Sequence, residues 1–280
     1  MSESILAITG PTAGIGYGAV KVLAQSFDRI LLLNRNMEKG EKLKEELLEA
    51  KAEVTVDLIK CDLSDLASVR FAAEMIKNRY THIDCLINNA GMFTNAKKES
   101  PDGYELMMAT NYLGHFLLTH ELVPLVLNSE RKQVIVVTSN AYKAAPMAEP
   151  FFKPKRFSMV KGYGRSKLGT LYLAQELHEQ YSGQGLNVTA VHPGLVATDI
   201  GKNNVDPRIE TLVFKLLKPF SATLEEGAQT IVSAVEEPDK YRGVFSDKGI
   251  VKPVEMHGSD FAMRRSFIDA TLEELDLSAL

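Results

Sequence analysis

Short apolar runs alternate with longer helical patterns along almost the whole chain. Most of these runs are built from Val, Ile and Leu and lack the apolar–polar alternation of a strand with one wet face. Strands of that composition are buried on both faces, as in a parallel sheet covered by helices. The predicted strands are Ser4–Thr9, Ile30–Asn34, Val54–Lys60, Ile83–Ile87, Gln133–Thr138, Leu186–His192 and Tyr241–Ser246.

The segments between the strands are predicted to be helices. They cover Ile15–Ser26, Met37–Lys51, Ser64–Tyr80, Pro101–Leu127, Val160–Tyr181 and Leu224–Glu236. Repeated strand–helix alternation predicts an α/β fold, a doubly wound, Rossmann-type domain with a mostly parallel seven-stranded sheet. No linker divides the sequence, so one domain is expected over residues 1–280.

Charge and composition narrow the classes of partner. The chain carries 32 Lys and Arg against 36 Asp and Glu, a net charge of −4, without the basic patch of a nucleic-acid-binding protein. Neither a signal peptide nor an apolar run of about 18 residues is found, so no membrane-spanning helix is expected. Cys61 and Cys85 lie far apart in apolar runs, which favours a reducing compartment. We expect a cytoplasmic protein that acts on a small molecule.

A glycine-rich turn follows the first strand and opens the first helix. Its sequence, Thr9 to Gly16, has the spacing G-x-x-x-G-x-G, which differs from the more common G-x-G-x-x-G of dinucleotide-binding turns. Glycines let the backbone approach a pyrophosphate, and the helix N-terminus stabilises its charge. The turn therefore predicts a dinucleotide site.

The end of the second strand indicates which dinucleotide would bind. An acidic residue at this place would bond the ribose 2′-hydroxyl of NAD, but the sequence reads Leu33-Asn34-Arg35-Asn36. The planar guanidinium of Arg35 suits a 2′-phosphate, which favours NADP(H). The alternative is that Arg35 faces solvent. Asp62, after the third strand, either contacts the adenine or caps the next helix.

Tyr163 and Lys167 stand four residues apart on a predicted helix and so share one face. An ammonium beside a phenol is expected to lower the Tyr pKa toward a range useful for acid–base catalysis. Tyr17 and Lys21 have the same spacing but no polar strand end before them, and we interpret that pair as surface and packing.

These features, taken together and in order, resemble the short-chain dehydrogenase/reductase family over nearly the whole chain. The matching residues are Thr9–Gly16, Asp62, Asn88-Asn89-Ala90-Gly91, Asn111, Ser139, Tyr163, Lys167, Pro193-Gly194 and Thr198. The long stretch between Ser139 and Tyr163, with Asn34-Arg35, is similar to the branch of retinol dehydrogenase-like and WW-domain oxidoreductase-like enzymes.

The resemblance implies a catalytic role for four residues. Tyr163 would protonate the substrate carbonyl oxygen, and Ser139 would hydrogen-bond the same oxygen. Lys167 would lower the Tyr163 pKa and hold the nicotinamide ribose, while Asn111 would hold a water that relays protons to Lys167. The implied cofactor-binding residues are Gly10, Thr12, Gly14, Ile15, Gly16, Arg35, Asp62, Leu63, Asn88, Ala90, Gly91, Tyr163, Lys167, Pro193, Gly194 and Thr198.

No metal site is expected, because His115, His120 and His192 lack the spacing of paired ligands. Two irregular segments, about 144–159 and 195–220, follow strands and are predicted to wall the substrate pocket. Their apolar residues indicate an apolar aldehyde or ketone and its alcohol. Candidate lining residues are Phe93, Phe151, Phe152, Phe157, Met159 and Leu212–Phe220.

The sequence thus predicts an NADP(H)-dependent oxidoreductase that interconverts an apolar carbonyl and its alcohol. Two alternatives stay open: a catalytically silent NADP-binding regulator or scaffold, and a reductase of carbon–carbon double bonds. Family members often pair through the helices predicted here over 101–127 and 160–181, although an insertion before the tyrosine can obstruct that contact. Either a homodimer or a monomer is expected.

Overall fold

A computed structural model describes residues 3–144, 146–194 and 223–278. Its centre is one sheet with the strand order β3-β2-β1-β4-β5-β6-β7-β8. The first seven strands are parallel, which confirms the doubly wound α/β prediction. The strands are β1 Ile5–Thr9, β2 Arg29–Asn34, β3 Thr55–Lys60, β4 Cys85–Asn88, β5 Gln133–Val137, β6 Asn187–His192, β7 Phe245–Asp247 and β8 Ile250–Lys252.

Helices cover both faces of the sheet, and each face has its own apolar core. One core joins the sheet to α1, α2 and α6, and the other joins it to α3, α4, α5 and α7. The helices are α1 Gly14–Leu23, α2 Met37–Ala50, α3 Leu66–Arg79, α4 Gly114–Leu127, α5 Met159–Tyr181, α6 Leu224–Glu236 and α7 Phe261–Glu274. None of the helices within the described ranges is long and apolar enough to cross a membrane.

The sheet has eight strands where the sequence predicted seven. The additional strand, β8, is three residues long, exposed and antiparallel to β7, so it has too few residues to show a pattern. Lys248 and Gly249 join the two strands with φ angles of 53° and 79°, the positive pair that a tight type I′ hairpin requires. Tyr241, predicted to begin β7, instead ends a helical turn that starts with Pro238.

The predicted helix over 101–127 is interrupted. The Glu105 carboxylate accepts hydrogen bonds from the N–H groups of Met107 and Met108, so helical structure begins at Leu106. A π-helical turn then covers Ala109–Leu113, and α4 follows it directly. Asn111 lies inside this turn. Such π turns are often found at functional sites because they redirect side chains.

The last helix, α7, was not predicted. It lies across α5 and the π-helical turn, and Phe267 at its centre is fully buried. The Phe267 ring lies 4.8 Å from that of Tyr112 and 5.3 Å from that of Phe151. The Tyr112 hydroxyl also pairs with the Thr271 hydroxyl at 2.9 Å. The chain therefore covers this face of α5 with its own C-terminal helix.

Candidate active site

The glycine-rich turn lies between β1 and α1, at the carboxyl edge of the sheet. Gly10 and Gly14 have φ angles of 63° and 59°, a region in which any residue with a Cβ is strained. Ala13, which precedes α1, makes no side-chain cap to the helix. The N–H groups of the first helical turn are thus left for an anion. Ile15 and Gly16 are buried beneath the turn, whereas Thr12 is half-buried.

Asn89 fixes the conformation of this turn from the neighbouring strand. Its amide nitrogen donates to the carbonyls of Thr9 at 2.8 Å and Gly10 at 3.1 Å. Gly16 packs directly against the Asn89 amide, and a Cβ at Gly16 would lie only 2.6 Å from the Gly10 carbonyl oxygen. The turn is therefore held in place before any ligand binds.

The residues that follow β4 also lie at the carboxyl edge of the sheet. The Asn88 amide donates to the Thr119 hydroxyl at 2.7 Å, while its buried Oδ1 has no partner. The Ala90 N–H donates to the Thr9 hydroxyl at 3.0 Å. A Cβ on Gly91 would lie 3.5 Å from the ammonium of Lys167. Gly91 therefore leaves open space above that ammonium.

Arg35 and Asp62 lie beside each other after β2 and β3. The Arg35 side chain is 75% exposed, and its Nε lies 3.9 Å from Asp62 Oδ2. Asp62 Oδ1 accepts from the Ser64 N–H and hydroxyl at 3.0 and 2.7 Å, so this side chain orders the following turn. Asp65, not Asp62, caps α3. Leu63 is buried, and its carbonyl packs against Gly114.

Ser139, Tyr163 and Lys167 meet at the carboxyl end of β5. The Ser139 hydroxyl lies close enough to the Tyr163 phenol to lower its pKa. The Lys167 ammonium lies 6.0 Å from the centre of the Tyr163 ring and donates to the Val137 carbonyl at 3.0 Å. The Phe93 ring stands edge-on to Tyr163 at 5.2 Å. The four-residue spacing on α5 thus places the ammonium of Lys167 on the same side of the helix as the Tyr163 ring.

The pKa of Tyr163 differs from the prediction. Burial raises the pKa of the phenol to about 12, although the hydrogen bond with Ser139 lowers it in part. Burial also lowers the pKa of Lys167 to about 8. The expected lowering of the Tyr163 pKa by Lys167 is not seen in this structure, because desolvation of the phenolate sets the direction and Ser139 alone opposes it.

The Asn111 side chain is engaged in three hydrogen bonds. Its Oδ1 accepts from the Met92 N–H at 2.7 Å, and its Nδ2 donates to the Met92 carbonyl at 3.0 Å and the Ser166 hydroxyl at 2.9 Å. Asn111 is fully buried. The side chain thus ties the segment after β4 to α5, beside Lys167.

Pro193 and Gly194 follow β6 at the same edge, and Gly194 has a φ angle of 91°. Thr198, the predicted wall segment 195–220 and the candidate residues Leu212–Phe220 lie outside the described residues. No group of three His, Cys, Asp or Glu side chains within the described ranges is arranged to hold a metal ion.

The aromatic residues predicted to line the pocket separate into two groups. Phe93 contacts Tyr163, as described above. Phe152 is buried, with its ring 5.6 Å from Phe267 and 6.3 Å from Tyr104, and Phe151 also packs on Phe267. These two side chains anchor the segment before α5 to α7. Phe157 borders a small cavity with Arg156 and Lys161.

The site fits a dinucleotide. Among the residues that the structure describes, the Lys167 ammonium makes one hydrogen bond, which leaves two of its three N–H groups as donors for ribose hydroxyls. The buried amide oxygens of Asn88 and Asn89 have no partner in the same described ranges and can accept hydrogen bonds from a ligand or an ordered water. These groups and the uncapped N-terminus of α1 all lie at the carboxyl edge of the sheet, where they could bind the phosphates and ribose of a dinucleotide.

Sequence reasoning missed the groups that support this edge. Thr9 and Asn89 were noted only as parts of matching motifs, and His115 only as an unsuitable metal ligand. In the structure the Thr9 hydroxyl accepts from the N–H groups of Asn89 and Ala90 at 2.9 and 3.0 Å. Their partners lie about 80 residues away along the chain, so no local pattern predicts these bonds.

Comparison with known proteins gives one family. The family model described as short chain dehydrogenase matches residues 4–208. Retinol dehydrogenase 12 of Mus musculus is 33% identical over 227 residues, which cover 81% of this chain and 71% of that protein.

Two solved structures have the same fold. A putative uncharacterized protein from Mycobacterium paratuberculosis aligns with a TM-score of 0.75 and 24% identity, covering 100% of this chain and 96% of the other. A short-chain dehydrogenase from Sphingobium yanoikuyae, in complex with NADPH, aligns with a TM-score of 0.69 and 21% identity, covering 98% and 95%.

Proposed function

The chain belongs to the short-chain dehydrogenase/reductase family, and on this premise we propose that it is an NADP(H)-dependent reductase of apolar aldehydes and ketones. The observation that carries the proposal is that the Ser139 hydroxyl and the buried ammonium of Lys167 both lie beside the Tyr163 phenol. These groups lie at the edge where the glycine turn and Arg35 also lie. The similarity to retinol dehydrogenase 12 supports an apolar substrate.

The chain's own residues would perform the acid–base part of the reaction. The bound dinucleotide supplies the hydride. The hydroxyls of Ser139 and Tyr163 donate hydrogen bonds to the substrate carbonyl oxygen, and Tyr163 transfers its proton to that oxygen as negative charge develops there. Lys167 stabilises the resulting phenolate and holds the ribose. The glycine turn positions the pyrophosphate against α1.

The pKa of Tyr163 favours the reducing direction. At about 12, it keeps the phenol protonated at physiological pH, ready to donate a proton to a carbonyl oxygen. Alcohol oxidation would require the phenolate as base, which burial disfavours before a ligand arrives. Reduction also agrees with a cofactor that carries a 2′-phosphate, since cells generally keep NADP reduced.

The first experiment is a titration of the intact chain with NADPH and, in parallel, NADH. The chain has no Trp, so the fluorescence of the reduced nicotinamide has little protein background. Tight NADPH binding followed by turnover of apolar aldehydes and ketones supports the proposal. Binding without turnover of any carbonyl or alkene favours the silent regulator, and turnover of conjugated alkenes alone favours the double-bond reductase.

Arg35 provides a separate test of cofactor choice. We expect Arg35→Ala to weaken NADPH binding about 10- to 100-fold, the loss typical of a hydrogen bond to a charged group, and to leave NADH binding within about twofold. Arg242→Ala is the matched control, because Arg242 is also exposed and, within the described ranges, pairs with Asp239 on a separate turn. Equal losses for the two cofactors would contradict the 2′-phosphate assignment.

The pKa of Lys167 predicts how reduction depends on pH. Because kcat/KM reports groups of the free enzyme, it should be constant below the Lys167 pKa of about 8 and fall about tenfold per pH unit above it. The reason is that a neutral amine no longer stabilises charge on Tyr163 and the substrate oxygen. Initial rates between about pH 6 and 10 would measure this limb, and a flat profile across that range would contradict it.

We propose that the protein is a monomer in the cytoplasm. Support for the monomer comes from α7, which packs on α5, one of the two helices through which family members often pair, and buries Phe267 there. Light scattering on the purified chain should give a mass near 30.9 kDa. Twice that mass would show that α7 does not prevent pairing. The cytoplasmic location remains a prediction from the sequence.

A further inference from the structure

A buried histidine lies between the cofactor edge and the catalytic residues. His115, the second residue of α4, is only 1% exposed. Its Nε2 lies 2.9 Å from the Thr9 hydroxyl, and its Nδ1 lies 2.9 Å from the Asn111 carbonyl oxygen. One side chain thus joins Thr9, the first residue of the glycine-rich turn, to the π-helical turn that carries Asn111.

The hydrogen bonds around Thr9 determine where the imidazole carries its proton. A hydroxyl can accept two hydrogen bonds and donate one. The Thr9 hydroxyl accepts from the N–H groups of Asn89 and Ala90, which uses both lone pairs. Its single proton is directed to His115 Nε2 at 2.9 Å, since the alternative acceptor, the Ile87 carbonyl, is 3.4 Å away. His115 Nε2 is therefore an acceptor, and the ring proton is on Nδ1.

The proton on Nδ1 is donated to the main-chain carbonyl of Asn111. In this region the N–H of Gly114 donates to the carbonyl of Ala109, five residues earlier, so the ordinary helical hydrogen-bond pattern is broken. The Asn111 carbonyl lies in this turn, and the imidazole supplies it with a fixed donor at 2.9 Å.

We propose that His115 is a positioning residue that fixes the position of the Asn111 carbonyl relative to the glycine-rich turn. The inference rests on the proposed function and on the expectation that Asn111 holds a water for Lys167; because the Asn111 side chain is engaged by Met92 and Ser166, that water would be held by the main-chain carbonyl. The chain Thr9–His115–Asn111 links three separate elements, the ends of β1 and β4 and the π-helical turn. A ligand that orders the glycine turn would therefore also order the carbonyl that the proton relay uses.

Two isosteric substitutions separate the two hydrogen bonds. The side-chain amide of Asn reaches the position of the imidazole Nδ1, and that of Gln reaches the position of Nε2. His115→Gln keeps an acceptor for Thr9 but loses the bond to Asn111, so we expect kcat to fall about tenfold, with NADPH affinity within twofold. His115→Asn keeps the bond to Asn111 but loses Thr9, so NADPH affinity should fall several-fold while kcat stays within about threefold.

A purely structural role would give a different result. Leu118→Ala is the matched control, because Leu118 is fully buried on the same helix and its side chain contributes only apolar packing. It should lower stability without separating kcat from NADPH affinity. If His115→Gln and His115→Asn change both parameters in parallel, or change neither, the positioning role is wrong.

Imidazole ¹⁵N NMR on the wild-type chain tests the inference without turnover. A neutral ring protonated on Nδ1 supports it, and protonation on Nε2 or on both nitrogens overturns it. Failure of the wild-type enzyme to reduce any carbonyl would instead overturn the proposed function. The NMR signal and the NADPH affinity of His115→Asn would still decide whether His115 couples the turn to Asn111.

Discussion

Replacing Tyr163 with Phe is expected to reduce kcat for carbonyl reduction by about 100- to 10,000-fold, the range for loss of a general acid. The ring would still stand edge-on to Phe93, and only the hydroxyl that bonds Ser139 would be lost. Because the glycine turn, Arg35 and Lys167 are untouched, NADPH affinity should change less than twofold. Steady-state rates and a fluorescence titration on the same preparation measure the two quantities.

The chain contains its own control for this substitution. Tyr17 and Lys21 have the same four-residue spacing, and the Lys21 ammonium donates to the Tyr17 hydroxyl at 3.1 Å. That pair lies on α1 and bonds Glu46 instead of a strand-end serine. Tyr17→Phe should leave kcat unchanged. Turnover retained by Tyr163→Phe would remove Tyr163 from the acid role, whatever the behaviour of Tyr17→Phe.

The difference between these two pairs shows how far the sequence could predict the site. Spacing alone predicts two Tyr–Lys pairs, and only the strand ending at Ser139 distinguishes them. The glycine turn was predicted because it follows a strand whose carboxyl end must lie at one edge of a parallel sheet, whereas the roles of Ser139 and Tyr163 were implied by the resemblance to the family. Seven strands and six helices were predicted from local patterns; most boundaries differ by a few residues, but the helix predicted over 101–127 is interrupted before Gly114.

Features that depend on distant partners were not predicted. His115 bonds Thr9 across 106 residues of sequence, and no periodicity encodes that contact. The π-helical turn depends on how Asn111 bonds Met92 and Ser166, so the segment was predicted as one continuous helix. The raised pKa of Tyr163 depends on how deeply the phenol is buried. The four-residue spacing places the ammonium near the phenol, but it does not show the desolvation that raises the pKa of Tyr163.

Lys167→Met is expected to change activity and stability in opposite directions. Turnover should fall at least 100-fold, because charge on Tyr163 and the substrate oxygen would lose its stabilising ammonium. The pKa of Lys167 falls from 10.5 to about 8, so holding the protonated side chain in the fold costs roughly 3 kcal/mol near neutral pH. Met removes that cost but also the hydrogen bond to the Val137 carbonyl, worth about 1 kcal/mol.

A net gain of about 1–2 kcal/mol in the free energy of unfolding is therefore expected, measured by urea denaturation without cofactor. This gain in stability should be full below pH 8 and should vanish as pH approaches 10.5. The reason is that Lys167 loses its proton near pH 8 in the folded wild-type protein but near pH 10.5 in the unfolded chain. Lys21→Met is the control, since Lys21 is exposed and paired with Glu46, and it should give neither effect. A Lys167→Met protein that is less stable at pH 7 and inactive would show that Lys167 is needed for packing, and the loss of turnover could then not be assigned to its charge.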